Sequence, residues 1–376
     1  MKVSCLQENL ARGLSVVSRA VAPRSTLPVL GNILIATDEG RLRLSATNLE
    51  LGISCWIGAK VEEDGATTVP ARTFVDLINT LPNEQVDREL TVRTQTLNVN
   101  SSRFNNDIKC IDAQEFPPLP PEELDAGLEL DLEELREMIH QVVFAASSDD
   151  ARPVLTGVLV EIEDGELSMA AADGFRLSLR TSGLSTADSG PLQAIIPSRA
   201  LSELARAVGD NETVTMILPP NRGQVIFRTK DLELVSQLIE GTYPDVKGII
   251  PNGYSTRTVL PTNSFLKACK AADIFAREAA HSARLRITPG SDLEPGKLEV
   301  SATAAETGSN ETAVDATIEG EPVEIAFNVR FLIDVLSIVD TPNVALETNN
   351  ASSPGVLRSV GRDDFLHVIM PMHLGR

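Results

Sequence analysis

The chain is short of positive charge, with 33 lysines and arginines against 53 acids and a formal net charge of −20 over 376 residues. That deficit excludes a globally basic nucleic-acid binder, because neutralising phosphates takes cations; any DNA contact must be confined to a local patch. Cysteines are few. Cys5, Cys55, Cys110 and Cys269 stand far apart, with no C-x-x-C pair and no histidine neighbour. This spacing excludes a zinc site and reads as reduced thiols in a cytosolic protein. No apolar run reaches the roughly 18 residues of a membrane span, and the opening MKVSCLQENLARG has no apolar stretch of signal-peptide type. The expectation is a soluble, cytoplasmic protein without membrane contact.

Catalytic signatures are missing too. There is no G-x-G-x-x-G after a strand, no G-x-x-x-x-G-K-[ST], no G-x-S-x-G and no H-E-x-x-H. The four histidines, His140, His281, His367 and His373, show no metal-ligand spacing. Asp149-Asp150 is a close carboxylate pair, but in so acidic a chain it reads as a solvated turn. No enzyme, cofactor or metal is expected.

What is present is repetition. Leu27-Pro28-Val29-Leu30-Gly31-Asn32 returns as Arg152-Pro153-Val154-Leu155-Thr156-Gly157, a shift of 125. The stretch around Pro70 returns around Pro197, and Phe116-Pro117 returns as Tyr243-Pro244, each a shift of 127. A fainter third copy is Phe327-Asn328-Val329-Arg330-Phe331-Leu332, which follows Ile196 to Leu201 by 131. Three units fill the chain, with expected boundaries 1–124, 125–252 and 253–376. Asp125-Ala126-Gly127 and Asn252-Gly253-Tyr254-Ser255 are the expected linkers.

Within each unit the period changes in the same order. Leu10, Leu14, Val17 and Val21 are spaced for one helix face. Leu42, Leu44 and Ala46 alternate with Arg41, Arg43 and Ser45, and Leu298, Val300 and Ala302 alternate with polar neighbours, as half-buried strands do. After Pro70 a second helix turns Phe74, Leu77, Ile78 and Leu81 inward, and Leu201, Leu204, Ala205 and Val208 repeat this after Pro197. A proline suits a helix start because its missing N–H would be unpaired there. The fold class is therefore α+β, with three tandem similar domains.

Six helices are predicted over 7–21, 70–81, 131–146, 198–209, 262–278 and 328–340. Together they carry a net −1, so −19 of the −20 lies elsewhere. Set side by side, they form a comparatively positive surface bearing Arg12, Arg19, Arg72, Arg199, Arg206, Lys267, Lys270 and Arg277; ordinary solvated helix faces are the other reading. Six helices each about 10 Å wide close a circle with a hole of only about 9 Å, too narrow for duplex DNA. Twelve, from two chains, leave about 28 Å by the same width. A duplex passes through that.

Several motifs in fixed order now carry a specific resemblance: TLPVLGN (26–32), ATTVPAR (66–72), ADGFRL (172–177), GTYPD (241–245), FNVRFLIDVL (327–336) and VIMPMHL (368–374). Across its whole length the chain resembles the bacterial DNA polymerase III beta subunit, the sliding clamp. The resemblance implies a closed homodimeric ring, with helices lining a central hole and antiparallel sheets outside. Such a ring encircles duplex DNA without sequence preference and gives the polymerase processivity. It also implies partners that dock through short peptide motifs: the replicative polymerase, the clamp loader, and other polymerases and repair proteins.

Residue by residue, the resemblance places Arg24, Arg72 and Arg199 near DNA, and the helix-borne cations Lys267 and Arg277 are expected to join them. It places the dimer contact at Arg103, Phe104 and Ile108 against Ile274, Phe275 and Glu306. The peptide pocket maps to Arg152, Leu155, Ala172, Gly174, Phe175, Arg176, Leu177, Pro244, Gly248, Ile249, Ser353, Val368, Met370, Pro371 and Met372. The apolar tail from Val368 to Leu374 then reads as one wall of that pocket, or as an edge strand finishing the last sheet; alternate residues serve both. Departures from the family pattern fall at Phe175, where histidine is common, at Gly248, where a basic residue is frequent, at Pro153-Val154 and His373, and in the added Gly375-Arg376. The competing reading is a repeat-built scaffold that keeps a peptide pocket but never closes on DNA. A hydrolase acting through acids has no motif behind it.

Overall fold

The computed structural model describes residues 1–118, 127–184, 191–209, 213–220, 223–291 and 294–373. The expected join at 124/125 lies outside them, as do Leu374, Gly375 and Arg376. Six α-helices occur among the described residues: α1 (Gln7–Val17), α2 (Ala71–Thr80), α3 (Leu132–Val142), α4 (Ser198–Ala207), α5 (Thr262–Ala276) and α6 (Val329–Ile338). All six coincide with predicted helices but end earlier; after α1, α3 and α5 residues 18–20, 143–145 and 277–279 tighten into 3-10 turns.

Each helix follows a strand without a loop: Lys2–Leu6, Ala66–Pro70, Leu128–Asp131, Leu192–Pro197, Thr256–Pro261 and Val323–Asn328 lead into α1 to α6 in turn. Pro70 and Pro261 stand at the caps of α2 and α5, Pro261 in extended conformation. Asn328 caps α6 by accepting from the Arg330 amide at 3.0 Å, satisfying one of the free N–H groups at a helix start. Asp149 lies in an exposed turn, as expected, and accepts from the Ala151 amide.

The chain forms two compact units, Met1–Glu133 with Arg199–Leu238, and Glu134–Ser198 with Ile239–Arg376. Compactness thus divides the chain differently from the three sequence repeats. The reason is that the sheets run across repeat boundaries. In the first unit an eight-stranded antiparallel sheet runs in the order Leu128–Asp131, Thr213–Ile217, Gln224–Arg228, Leu232–Gln237, Leu51–Gly58, Arg41–Thr47, Asn32–Asp38, Ala66–Pro70. Half of it comes from each of the first two repeats. A five-stranded sheet, Lys60–Glu63, Lys2–Leu6, Gln85–Thr91, Thr96–Ser101 and Phe104–Lys109, completes this unit.

Leu10, Leu14 and Val17 of α1 are fully buried as their spacing predicts, while Val21 falls beyond the helix in extended backbone. Gly13 lets α1 approach the sheet: a Cβ there would stand 2.8 Å from Leu44 Cδ1. One alternation fails. Ser45, expected on the polar side with Arg41 and Arg43, is buried, and its hydroxyl meets that of Ser54 at 2.8 Å, which removes the cost of leaving it unpaired.

The second unit holds a twelve-stranded sheet in the order Leu192–Pro197, Gly157–Glu163, Glu166–Ala172, Arg176–Gly183, Phe365–Ile369, Gly355–Ser359, Asn343–Thr348, Thr256–Pro261, Gly308–Gly320, Gly296–Ala304, Ser282–Thr288, Val323–Asn328. Helices α5 and α6 pack against one another in this unit, over a core that includes Phe265, Leu285, Phe327, Leu332 and Phe365. Each such side chain contributes about 1.5–3 kcal/mol by leaving water.

Candidate functional site

The second and third repeats join along Arg176–Gly183 and Phe365–Ile369, where Leu177 faces Val368 and Ser178 faces His367. The turn before this strand is built by Asp173. Its Oδ1 accepts from the amides of Phe175 at 2.8 Å and Arg176 at 3.0 Å, a side chain standing in for backbone. Gly174, at φ +94°, supplies the left-handed residue, and a Cβ there would lie 2.9 Å from Arg152 Nη1. Beyond the paired strands the Met370 amide donates to the Phe175 carbonyl at 2.8 Å.

Under this turn lies an apolar floor of Leu159, Ala172, Leu177, Tyr243, Val246 and Val368, with Val154 and Leu155 half-buried at its margin. The Tyr243 hydroxyl accepts from the Ala172 amide at 3.0 Å and faces the Gly157 carbonyl at 3.5 Å. Burial pushes that hydroxyl's pKa up to about 12, so it stays a neutral phenol. Above the floor Phe175 is 59% exposed and Met370 41%, and Ile249, just past Val246, is also exposed. Large apolar side chains left in water beside a buried apolar floor mark a docking surface.

Arg176 serves the site from beneath. Nε reaches Asp173 at 3.1 Å, Nη1 reaches Asp334 at 2.6 Å, and Nη2 donates to the Phe144 carbonyl at 2.9 Å. Its guanidinium lies over the rings of Phe331 at 4.4 Å and Phe144 at 5.5 Å. With its donors so engaged it positions the Asp173 turn. Next to it, His367 Nδ1 meets Ser178 Oγ at 2.6 Å, and burial, helped by Arg176, lowers the imidazole pKa to about 3.

The whole chain is accounted for by one family. Residues 1–120 match the N-terminal domain of the DNA polymerase III beta subunit, 129–245 the central domain and 247–373 the C-terminal domain. This chain belongs to the DNA polymerase III beta subunit family. A beta sliding clamp of Synechococcus elongatus is 34% identical over 381 residues, covering the full length of both chains. The DNA polymerase sliding clamp of Bacillus subtilis has a TM-score of 0.92 at 27% identity, again over the whole of each chain. A Pseudomonas aeruginosa sliding clamp bound to griselimycin has a TM-score of 0.91 at 28% identity over all of both. The fold is three tandem clamp domains, and the function is that of a processivity factor in DNA replication, not of an enzyme.

In this clamp the predicted pocket residues do not all meet. Ala172, Leu177 and Val368 share the apolar floor, with Leu155 at its margin; Arg152, Gly174, Phe175 and Met370 border it; Pro244 and Gly248 lie exposed in the 243–250 segment, and Ser353 and Pro371 are half-buried. Met372 goes elsewhere. Its amide donates to the Ala326 carbonyl at 2.7 Å, so the tail adds a bridge to the edge strand Val323–Asn328. The tail is thus tied by backbone at two places, at Phe175 through Met370 and at Ala326 through Met372.

The predicted DNA-facing cations are all exposed: Arg24 in a turn, Arg72 and Arg199 at helix starts, Lys267 and Arg277 on and after α5. Arg72 pairs loosely with Asp76 at 3.8 Å and Arg277 with Asp273 at 3.9 Å, and Arg199 Nη2 donates to the Arg19 carbonyl at 3.2 Å. Such exposed pairs are worth little and yield readily to phosphate. Arg330 was missed. It is the second residue of α6, as Arg72 and Arg199 are of α2 and α4, and the repeat alignment that matched Asn328 to Pro197 already put it there.

At the expected dimer contact Phe104 is 46% and Ile274 59% exposed, while Arg103 and Glu306 are also at the surface. Phe275 is half-buried beside Gly308. Ile108 differs from the expectation. It is only 7% exposed, opposite Leu97, because its strand turns it into the core of its own repeat.

Proposed function

We propose that two copies of this chain close head to tail into a cytoplasmic ring around duplex DNA, with one clamp domain in each of 1–124, 125–252 and 253–376. One observation carries this reading. The last strand of the second repeat, Leu232–Gln237, pairs with Leu51–Gly58, and the last strand of the third, Phe365–Ile369, pairs with Arg176–Gly183. The Gln237 amide donates to the Glu50 carbonyl at 2.8 Å, as Met370 donates to Phe175. Both joins are one strand contact used twice.

The same contact has a third pair of halves. The last strand of the first repeat, Phe104–Lys109, is the edge of its sheet, and residues 308–316 of the third repeat pair on one side only among the described residues. An open strand edge is a template for another chain. Joining these two edges between copies, with Phe104 meeting Ile274 and Phe275 and with Arg103 near Glu306, gives six joins and a closed ring. The near-neutral helices then face the phosphates, led by Arg24, Arg72, Arg199, Lys267, Arg277 and Arg330, while the acidic remainder faces outward.

The Leu155, Leu177 and Val368 pocket takes the apolar residues of short partner peptides, from the replicative polymerase, the clamp loader and other DNA-handling proteins. Met370 at its border adapts to varied side chains. The test is retention on a nicked circle after loading, followed by linearisation. Escape from the linear form supports the ring; equal retention on both forms favours an open scaffold.

A further inference from the structure

Arg88 is buried without a counter-ion. It lies on the strand Gln85–Thr91, between Val3 and Val99 of the neighbouring strands, and is 1% exposed, while Asp87 and Glu89 on either side of it alternate to the opposite, solvated face. A guanidinium keeps its proton, so its charge must be answered where it lies. Arg180, buried to the same degree, is answered by two carboxylates, Glu134 at 2.7 Å and Asp364 at 2.6 Å. Arg88 has no carboxylate within ion-pair reach among the described residues. Its Nη2 donates to the sulfur of Cys5 at 3.1 Å, and its Nε and Nη1, both buried, have no acceptor. Unanswered donors on a buried cation are costly, and here they belong to a group already in contact with a sulfur.

We propose that Cys5 is a site of reversible oxidation by hydrogen peroxide, held by Arg88 as the sulfenic acid. In the step a sulfur lone pair attacks one peroxide oxygen, an S–O bond forms and the O–O bond breaks. Sulfur gives up two electrons, and the departing hydroxide takes the thiol proton and leaves as water. The guanidinium offsets the negative charge that develops on that hydroxide. Once formed, the sulfenic oxygen accepts from the Arg88 donors that sulfur, a weak acceptor, leaves unanswered. A small thiol then displaces this oxygen as water to give a mixed disulfide, and a second thiol restores Cys5.

The sheet leaves an approach to the sulfur. Cys5 is 6% exposed, and the edge strand Lys60–Glu63 pairs only with residues 2–4, so Cys5 is paired to Val86 on one side and stands past the end of the edge strand on the other. That end admits a reagent little larger than water. The other three cysteines are placed differently. The thiols of Cys55 and Cys110 only donate, to the Gly13 carbonyl at 3.6 Å and the Ile108 carbonyl at 3.4 Å. Burial pushes the Cys55 pKa up to about 12 and those of Cys269 and Cys110 up as well, which disfavours the nucleophilic thiolate. Cys110 is nevertheless more exposed than Cys5, so exposure and the Arg88 contact select different residues.

The experiment takes the full-length protein, reduced with dithiothreitol and freed of it, and adds hydrogen peroxide with dimedone, which traps sulfenic acids. Mass spectrometry of the digest reads the adduct at each cysteine. The adduct is expected to concentrate at Cys5, about tenfold or more above Cys110, and to fall about tenfold in Arg88→Met. Without dimedone, dithiothreitol added after peroxide should return the Cys5 peptide to its unmodified mass. A thermal melt establishes that the variant is folded; if Arg88→Met does not fold, the ratio of Cys5 to Cys110 in the native chain decides. No adduct at Cys5, an equal or larger one at Cys110, or undiminished labelling in folded Arg88→Met would overturn the proposal.

Discussion

The backbone amide of Met370 donates to the carbonyl of Phe175 across 2.8 Å. This single bond fixes the exposed methionine beside the exposed phenylalanine, so two apolar side chains far apart in sequence share the border of one pocket. Its counterpart between Gln237 and Glu50 has the same length but polar side chains. One backbone arrangement thus yields a docking surface at one join and a solvated surface at the other, according to the residues it carries.

Gly174→Ala should weaken both the fold and the pocket. The residue sits at φ +94°, where a side chain is strained, and its new Cβ would drive Arg152 away from 2.9 Å. A loss of about 1–2 kcal/mol is expected for a left-handed position. Urea denaturation measures the first effect and partner-peptide affinity the second; an unchanged affinity would show that Arg152 is not needed at the border.

Tyr243→Phe removes one oxygen and leaves the buried Ala172 amide without its acceptor. The cost should be about 1–3 kcal/mol. The first repeat places Phe116 at the matching position. A substitution without effect on the denaturation midpoint would mean that water replaces the hydroxyl.

Acid should destabilise the protein through His367. Its imidazole is held near pKa 3 in the fold against an ordinary value of 6.5, so between those values the unfolded chain binds the extra proton. Stability is then fully present above about pH 6.5 and falls as pH drops toward 3, by up to about 1.4 kcal/mol per pH unit from this group. Denaturation at pH 7, 6 and 5 should show a shallower fall in His367→Phe than in the native chain. Parallel curves would remove His367 from the effect.

Arg180→Met tests the ion cluster at the same join. The arginine is almost fully buried, with Nη2 at 2.7 Å from Glu134 and Nη1 at 2.6 Å from Asp364, and Arg362 Nη2 reaches Asp364 at 3.1 Å. Removing a buried partner generally costs about 3–5 kcal/mol, but both acids are about one-third exposed and water can take them up. A loss below about 3 kcal/mol is expected by calorimetry; a larger one would mean that the acids lose their solvent as the cluster collapses.

Much of this was legible before any coordinates. Helical spacing at Leu10, Leu14 and Val17, alternation at Leu298, Val300 and Ala302, and the shifts of 125 and 127 identified the elements and their repetition, because local geometry dictates the spacing of apolar residues. The absence of nucleotide, metal and nucleophile motifs pointed away from catalysis. Pocket residues were legible only through resemblance, since Leu155, Leu177, Tyr243 and Val368 have no mutual spacing along the chain.

The tertiary structure alone decided what strand pairing decides. Ser45 is buried because Ser54 answers it, Ile108 faces its own core, and Met372 bonds its amide to the edge strand at Ala326. The compact units cut across the repeats because strands hydrogen-bond to whichever edge is adjacent in space. Composition and period depend on neighbours along the chain and can be read from it. Which edge meets which depends on residues far along the chain, as far apart as Arg176 and Ile369, and emerges only when the sheets close.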